Sequence, residues 1–121
     1  TRFLLTLNQA TELIDWAYHS ENSHGKIAVP KIKALKVTDV ADVLKKSYEV
    51  DIPLKYIGIR RGEKLHEEMI SKEEWMRTEN HDNFLIGNEY LRDEQKSFNS
   101  FDSLMDSSEA FDFLRENGVV S

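Results

Sequence analysis

The residues best suited to chemistry in this chain form a charged glycine turn of Arg60, Arg61, Gly62 and Glu63. An arginine guanidinium is a rigid fork of N–H donors that matches a phosphate with two parallel hydrogen bonds. A carboxylate three residues further on can accept hydrogen bonds from sugar hydroxyls. Arg60 and Glu63 therefore suit the phosphate and the sugar of a nucleotide sugar. For an arbitrary tetrapeptide of this kind, the commoner interpretation is a solvated turn with a surface ion pair.

The segments on either side of the turn predict the elements that position it. Leu54–Ile59 is apolar and rich in β-branched and aromatic side chains, which predicts a buried strand. Gly58 lies inside this run, where a side chain would obstruct a close approach. After the turn, Leu65, Met69 and Ile70 have helical spacing. The sequence therefore predicts a strand, a charged turn and a helix.

A longer string around the turn, VPKIKALKVTDVADVL…YIGIRRGEKLHEEMIS, carries a family resemblance. It resembles the C-terminal lobe of inverting UDP-N-acetylglucosamine 4,6-dehydratases, which are polysaccharide biosynthesis proteins of the extended short-chain dehydrogenase/reductase family. The resemblance extends from Thr1 to about Ile86 and includes TRF near the start. It implies that Arg2 and Arg60 hold the two phosphates of UDP and that Glu63 accepts a hydrogen bond from the ribose.

Arg61 departs from the family pattern, and Arg2 allows a second interpretation. The family usually has proline where this chain has Arg61, and we expect arginine to leave the turn looser and more positive. For Arg2, an exposed residue at a frayed terminus is an alternative to a phosphate ligand.

The resemblance also implies an α+β fold, a small C-terminal substrate-binding lobe of short strands plus about four helices. This lobe would belong to a two-domain Rossmann-type enzyme whose Rossmann domain is absent from this chain. The family chemistry uses NADP and a Tyr-x-x-x-Lys pair to oxidise C4 of the sugar, remove water across C5–C6 and return hydride to C6. The chain has no glycine-rich GxGxxG pattern and no lysine four residues after any tyrosine. We therefore expect no catalytic residue and no cofactor in this chain, and no activity of the isolated chain.

Other functions and the partners follow from the same resemblance. A UDP-sugar 4-epimerase or 5-epimerase of the same family and a non-catalytic interaction module are the alternatives. The expected partners are a UDP-sugar and the missing N-terminal Rossmann domain, with a homo-oligomer when the enzyme is intact. Because the chain begins at Thr1 without methionine, we expect it to be part of a longer protein. We expect that protein to be cytoplasmic.

Composition limits the class of protein. The chain has 121 residues and no cysteine, so it has no disulfide framework and no thiolate metal site. The net charge is −6, which disfavours nucleic acid, and no apolar run approaches the length of a membrane span. The charge is uneven, because residues 1–65 carry 11 Lys and Arg against 8 Asp and Glu, whereas residues 66–121 carry 5 against 14. The basic half contains both arginines of the predicted site.

We predict no metal site. His66, Glu67 and Glu68 begin like the HExxH zinc motif, but Ile70 stands where the second histidine is needed. The acidic residues there are expected to face a helix N-terminus.

The rest of the chain predicts a single domain over residues 1–121. We expect helices capped by Asn8 and Thr38, strands over 26–30 and 84–86, and a terminal helix over 107–118 that is capped by Ser107 or Ser108. Residues 87–106 have no clean apolar period and are expected to be extended or mobile.

Overall fold

The structure is a computed structural model that describes all 121 residues, Thr1–Ser121. Its helices are α1 (Leu7–His19), α2 (Val37–Ser47), α3 (Lys72–Trp75) and α4 (Ser107–Glu116). Its strands are β1 (Arg2–Phe3), β2 (Ile27–Val29), β3 (Ala34–Leu35), β4 (Glu68–Ile70), β5 (Thr78–Asn80), β6 (Phe84–Ile86) and β7 (Phe98–Asn99). The α+β class and the four helices agree with the sequence prediction. No helix is both long enough and apolar enough to cross a lipid bilayer.

The chain divides into two compact units, each made of separate stretches of sequence. The first unit contains Thr1–Phe3, Lys33–Glu67 and Ser100–Ser121, and the second contains Leu4–Ile32 and Glu68–Asn99. The expectation of a single domain over 1–121 stays a prediction.

The first unit is built on one short strand pair and two helices. β1 pairs antiparallel with β3, and α2 packs against α4. The backbone of Ala34 adds a second connection, because it donates to the Ser103 carbonyl and accepts from the Met105 N–H, both at 2.8 Å. Its buried apolar residues are Ala34, Leu35, Val43, Met105, Ala110, Leu114 and Val120.

The second unit has a three-stranded antiparallel sheet in the order β2-β6-β5 and a separate antiparallel pair of β4 and β7. Its core cluster consists of Val29, Ile70, Trp75 and Ile86, with Met69, Phe84 and Phe98 packed against it. The strands predicted over 26–30 and 84–86 are therefore confirmed as β2 and β6, because both contribute apolar side chains to this core.

Three of the four helices begin with a capping box, in which two side chains satisfy backbone N–H groups reciprocally. The boxes are Thr6 with Gln9, Ser71 with Glu74, and Asp106 with Glu109. The predicted caps at Asn8 and Ser107 or Ser108 are therefore wrong, since these residues lie inside their helices. Thr38 is also inside α2, which begins after Lys36 without a side-chain cap.

The helix predicted after the charged turn is wrong as well. Glu68–Ile70 is a strand, and it pairs with Phe98–Asn99 through a register shift. Ile70 is fully buried in the core of the second unit. Pairing with β7 and burial of Ile70 favour a strand here, although the apolar residues have helical spacing. The next helix in the chain is the short α3.

Residues 87–106 make several backbone contacts along their length. The N–H groups of Leu91 and Arg92 both donate to the Met76 carbonyl, at 2.8 and 3.3 Å, and β7 lies within the same stretch. The expectation that this stretch is extended or mobile stays a prediction, which amide hydrogen exchange can check.

An ion-pair network connects the two outer strands of the three-stranded sheet. Glu79 of β5 forms a salt bridge with Lys26, which precedes β2, and its Oε2 lies 2.9 Å from His81 Nε2. The hydrogen bond with His81, followed by that with Lys26, lowers the pKa of the Glu79 carboxyl below its ordinary 4.5.

We expect Glu79→Gln to lower the melting temperature at neutral pH. A carboxyl with a lowered pKa contributes stability that is complete above its ordinary pKa of 4.5 and is lost as the pH falls through the lowered value. The difference between wild type and Glu79→Gln should therefore shrink as the pH falls below 4.5. Thermal unfolding followed by circular dichroism across this pH range checks this. Glu89→Gln, at an exposed position, is the control, and a gap that persists in acid would contradict the assignment.

Candidate functional site

The charged turn folds as a type II turn. The Glu63 N–H donates to the Arg60 carbonyl at 3.1 Å, and Gly62 has a φ of 83°, which glycine adopts without strain. The Glu63 carboxylate closes the turn on its other side, because its Oε2 accepts the Arg60 N–H at 2.8 Å. Glu63 therefore holds the backbone of Arg60 with one oxygen and leaves the other, Oε1, without a partner.

The Arg60 guanidinium is available for a ligand. Arg60 is exposed, and its side chain makes no hydrogen bond or ion pair in the structure. All five of its N–H donors therefore remain free.

Arg2 is committed to the segment that follows the turn. Its guanidinium donates to the Lys64 carbonyl at 3.0 Å and to the Leu65 carbonyl at 3.3 Å, and its Nε lies 3.6 Å from Glu67 Oε1. It also donates to its neighbour, the Thr1 carbonyl, at 2.7 Å. Arg2 thus fastens β1 to residues 64–67, and one N–H of its Nη2 is left without a partner.

A partly buried polar cluster joins three distant stretches of the first unit. Thr1 Oγ1 lies 2.7 Å from His66 Nδ1 and 2.6 Å from Ser100 Oγ. The Ser100 hydroxyl also accepts the Glu67 N–H at 2.8 Å, and Ser100 is fully buried. We refer to Thr1, His66, Glu67 and Ser100 as the polar cluster. Sequence reasoning missed it, because no spacing pattern relates residues 1, 66 and 100.

An open cavity of about 630 Å³ lies beside this cluster, within the first unit. Its lining includes four cationic residues, Arg2, Lys36, Lys55 and Lys64, and one carboxylate residue, Glu63, and we refer to these charged residues as the polar rim. The remaining lining residues are Thr1, Val37, Thr38, Ala41, Leu54, Tyr56, Ile57, Gly58, Ile59, Leu65, His66 and Phe101. The cavity therefore combines largely apolar walls with a positive rim, which suits an anion attached to an apolar body.

The predicted site residues are brought together in part. Arg2 and Glu63 both line the cavity, whereas Arg60 lies outside its lining and is connected to it through the hydrogen bond to Glu63. The geometry thus places one arginine at the wall and one at the adjoining turn.

The segment before the turn is not the buried strand that the sequence predicts. Leu54–Ile59 has no strand assignment and belongs to none of the three sheets. Tyr56 and Ile57 are 79% and 69% exposed. A strand needs a hydrogen-bonding neighbour, and this stretch has none. It forms one wall of the cavity instead.

The residues present do not fit a dinucleotide cofactor. In Rossmann-type dinucleotide sites the cofactor pyrophosphate lies at a glycine-rich turn that begins a helix, where the backbone can approach the phosphates. The four helices begin after Thr6, Lys36, Ser71 and Asp106, with no glycine in or next to any first turn. We therefore place no NADP contact on this chain.

Comparison with known proteins assigns the family. Residues 1–89 match the family described as polysaccharide biosynthesis protein, and the chain belongs to it. The chain is 40% identical over 75 residues to the inverting UDP-N-acetylglucosamine 4,6-dehydratase of Campylobacter jejuni, covering 61% of this chain and 21% of that protein. The resemblance stated from the sequence is thereby confirmed.

Two further proteins are similar to the chain. The chain is 35% identical over 75 residues to the UDP-glucose 4-epimerase of Rickettsia massiliae, covering 61% of this chain and 21% of that protein. The X-ray structure of Pen from Bacillus thuringiensis matches with a TM-score of 0.80 at 25% identity, over 98% of this chain and 39% of that one. The chain thus spans about a fifth of the length of these two curated relatives.

The turn geometry predicts that Arg61→Pro stabilises the protein. Arg61 occupies the second position of a type II turn, where proline is common because its fixed φ matches that position. We expect a gain of about 0.4–1 kcal/mol in the free energy of unfolding, because proline restricts the unfolded chain. Urea unfolding followed by tryptophan fluorescence measures it.

Two matched variants complete this test. Arg61→Ala removes the guanidinium without fixing φ and should leave stability nearly unchanged. Gly62→Ala should destabilise by about 1–2 kcal/mol, because alanine is strained at a φ of 83°. Destabilisation by Arg61→Pro would mean that the backbone at Arg61 does not have the type II conformation.

Proposed function

We propose that this chain is the UDP-sugar-binding part of an NADP-dependent UDP-N-acetylglucosamine 4,6-dehydratase that acts in surface polysaccharide or glycan biosynthesis. The observation that carries the proposal is the cavity with four cations on its rim, which adjoins the arginine-glycine turn. The 40% identity to an inverting dehydratase supports the choice of substrate and reaction.

In this proposal the two arginines bind the diphosphate in different ways. Arg60 supplies the two-pronged contact, since its guanidinium has no other partner. Arg2 supplies charge and a single remaining N–H, because its other donors face Thr1, Lys64, Leu65 and Glu67. Glu63 accepts from the ribose through Oε1, while Oε2 keeps the turn closed.

In this proposal the chain contributes to the reaction by positioning the UDP-sugar. Binding energy gathered on the nucleotide, away from the reacting carbon, orients the sugar for the chemistry that follows. We propose that the NADP and the catalytic residues are supplied by a Rossmann domain outside this chain, in a cytoplasmic and oligomeric enzyme.

A UDP-sugar 4-epimerase is the second candidate, supported by the 35% identity to the Rickettsia enzyme. Both candidates require the same contacts with UDP, so they differ only in the product that the complete protein forms. A 4-keto sugar identifies a dehydratase, and an inverted C4 hydroxyl identifies an epimerase.

UDP binding tests the proposal directly on the 121-residue chain. Charge-assisted hydrogen bonds contribute about 1.5–3 kcal/mol each, so Arg60→Ala should weaken UDP binding by roughly ten- to a hundredfold. Arg60→Lys should recover only part of the affinity, because an ammonium group cannot form the fork. Isothermal titration calorimetry at fixed low salt measures the dissociation constants.

Arg61→Ala is the matched control, since it removes an adjacent guanidinium that the proposal leaves unused. Its affinity for UDP should stay within about twofold of wild type, because only the long-range electrostatic attraction of one exposed charge is lost. A larger loss in Arg61→Ala than in Arg60→Ala would show that the wrong arginine has been assigned. A wild-type chain that does not bind UDP would overturn the proposed function itself.

A further inference from the structure

His66 lines the cavity but has no role in the proposed function so far. Its ring packs against Phe101, with centroids 4.9 Å apart and planes tilted by 55°. Its Nδ1 lies 2.7 Å from Thr1 Oγ1, while Nε2 has no hydrogen-bond partner and is not a buried unpaired atom. The ring is therefore held by one nitrogen and one face, and its other nitrogen is accessible.

The hydroxyl groups of the polar cluster favour one of the two neutral tautomers of the His66 ring. Ser100 Oγ accepts the Glu67 N–H and has one proton of its own to donate. It lies 2.6 Å from Thr1 Oγ1, where either hydroxyl can be the donor, and it can also donate to the Thr1 carbonyl at 3.3 Å. When Ser100 donates to Thr1 Oγ1, the Thr1 hydroxyl is left to donate its own proton to His66 Nδ1. A neutral His66 accepts at Nδ1 and consequently carries its proton on Nε2.

We propose that His66 is a ligand-binding residue of this cavity, which donates its Nε2–H to a phosphate oxygen of the UDP-sugar. Thr1 and Ser100 are positioning residues that keep the imidazole in the Nε2–H tautomer. The inference rests on the proposed function, because the phosphate belongs to the nucleotide bound there.

The surroundings of the ring favour an anionic oxygen as the acceptor. The cavity rim carries four cationic side chains and one carboxylate, so an anionic group is drawn to it. Phe101 and the Thr1 hydroxyl fix the ring in one orientation, so its N–H is preorganised and costs little entropy on binding.

The tautomer can be tested without any substitution. In the ¹⁵N-histidine-labelled chain, long-range ¹H–¹⁵N correlation spectra distinguish a protonated from an unprotonated ring nitrogen. We expect the Nε2–H tautomer for His66 in the free chain, and a shift of the Nε2 signal when UDP is added. His24, which is exposed, is the internal reference. An Nδ1–H tautomer in the free chain would overturn the inference.

Two amide variants separate the two nitrogens of the ring. Asparagine can place an N–H near the Nδ1 position and glutamine can place one near the Nε2 position. We expect His66→Asn to weaken UDP binding by about tenfold and His66→Gln to stay within about threefold of wild type, because only glutamine replaces the donated hydrogen bond. Calorimetric titration with UDP measures both, and urea unfolding confirms that both variants are folded. Equal affinities for the two variants would overturn the proposal.

A second pair tests the positioning role of Thr1. Thr1→Val removes the hydroxyl at nearly constant shape, and Thr1→Ser keeps it. Thr1→Val should yield a mixture of His66 tautomers and weaker UDP binding, whereas Thr1→Ser should retain the Nε2–H signal. A wild-type spectrum in Thr1→Val would remove Thr1 from the arrangement.

The outcomes distinguish this inference from the proposed function. If wild type binds UDP and Arg60→Ala weakens it while every His66 variant binds normally, the inference fails and the proposed function stands. If wild type does not bind UDP, both fail.

Discussion

The buried hydroxyl of Ser100 is the contact on which the site depends. It accepts the Glu67 N–H and contacts Thr1 Oγ1, while the Ser100 N–H donates to the Glu67 carbonyl at 2.8 Å. Glu67 in turn accepts the Phe3 N–H at 2.8 Å. A single serine therefore fixes the start of the chain and the end of the arginine-turn segment against each other. Because Ser100 is fully buried, removing its hydroxyl would leave the Glu67 N–H and the Thr1 hydroxyl without this partner.

The charge of the cavity lining is opposite in sign to the net charge of the chain. The chain as a whole carries −6, yet the cavity rim carries four cations and one carboxylate. Several carboxylates elsewhere are neutralised locally, as Glu79 is by Lys26 and Glu109 is by Lys33. An acidic protein can in this way present a positive field over a small area, where it attracts an anion without attracting polyanions in general.

The local features of the site could be predicted from the sequence, and the long-range ones could not. The glycine turn is encoded by four adjacent residues, so its conformation follows from Gly62 having a positive φ. The prediction of a strand over Leu54–Ile59 was wrong, because apolar composition does not specify a hydrogen-bonding neighbour. The polar cluster forms only where distant segments of the chain come into contact, and no periodicity in the sequence indicates such a contact.

The first unit consists of three separate stretches of the sequence, so its site cannot form until the last of them has been synthesised. Thr1 and Ser100 are 99 positions apart, and the polar cluster needs both. At a synthesis rate of about 5–20 residues per second, the ribosome makes Ser100 roughly 5–20 s after Thr1. Until then the Thr1 hydroxyl, and His66 once it has been made, have no Ser100 to contact, whereas the capping box of α1 is complete within a few residues. Nascent chains therefore acquire their helix starts early and their binding surface last, so any quality control that recognises the incomplete site has a defined interval in which to act.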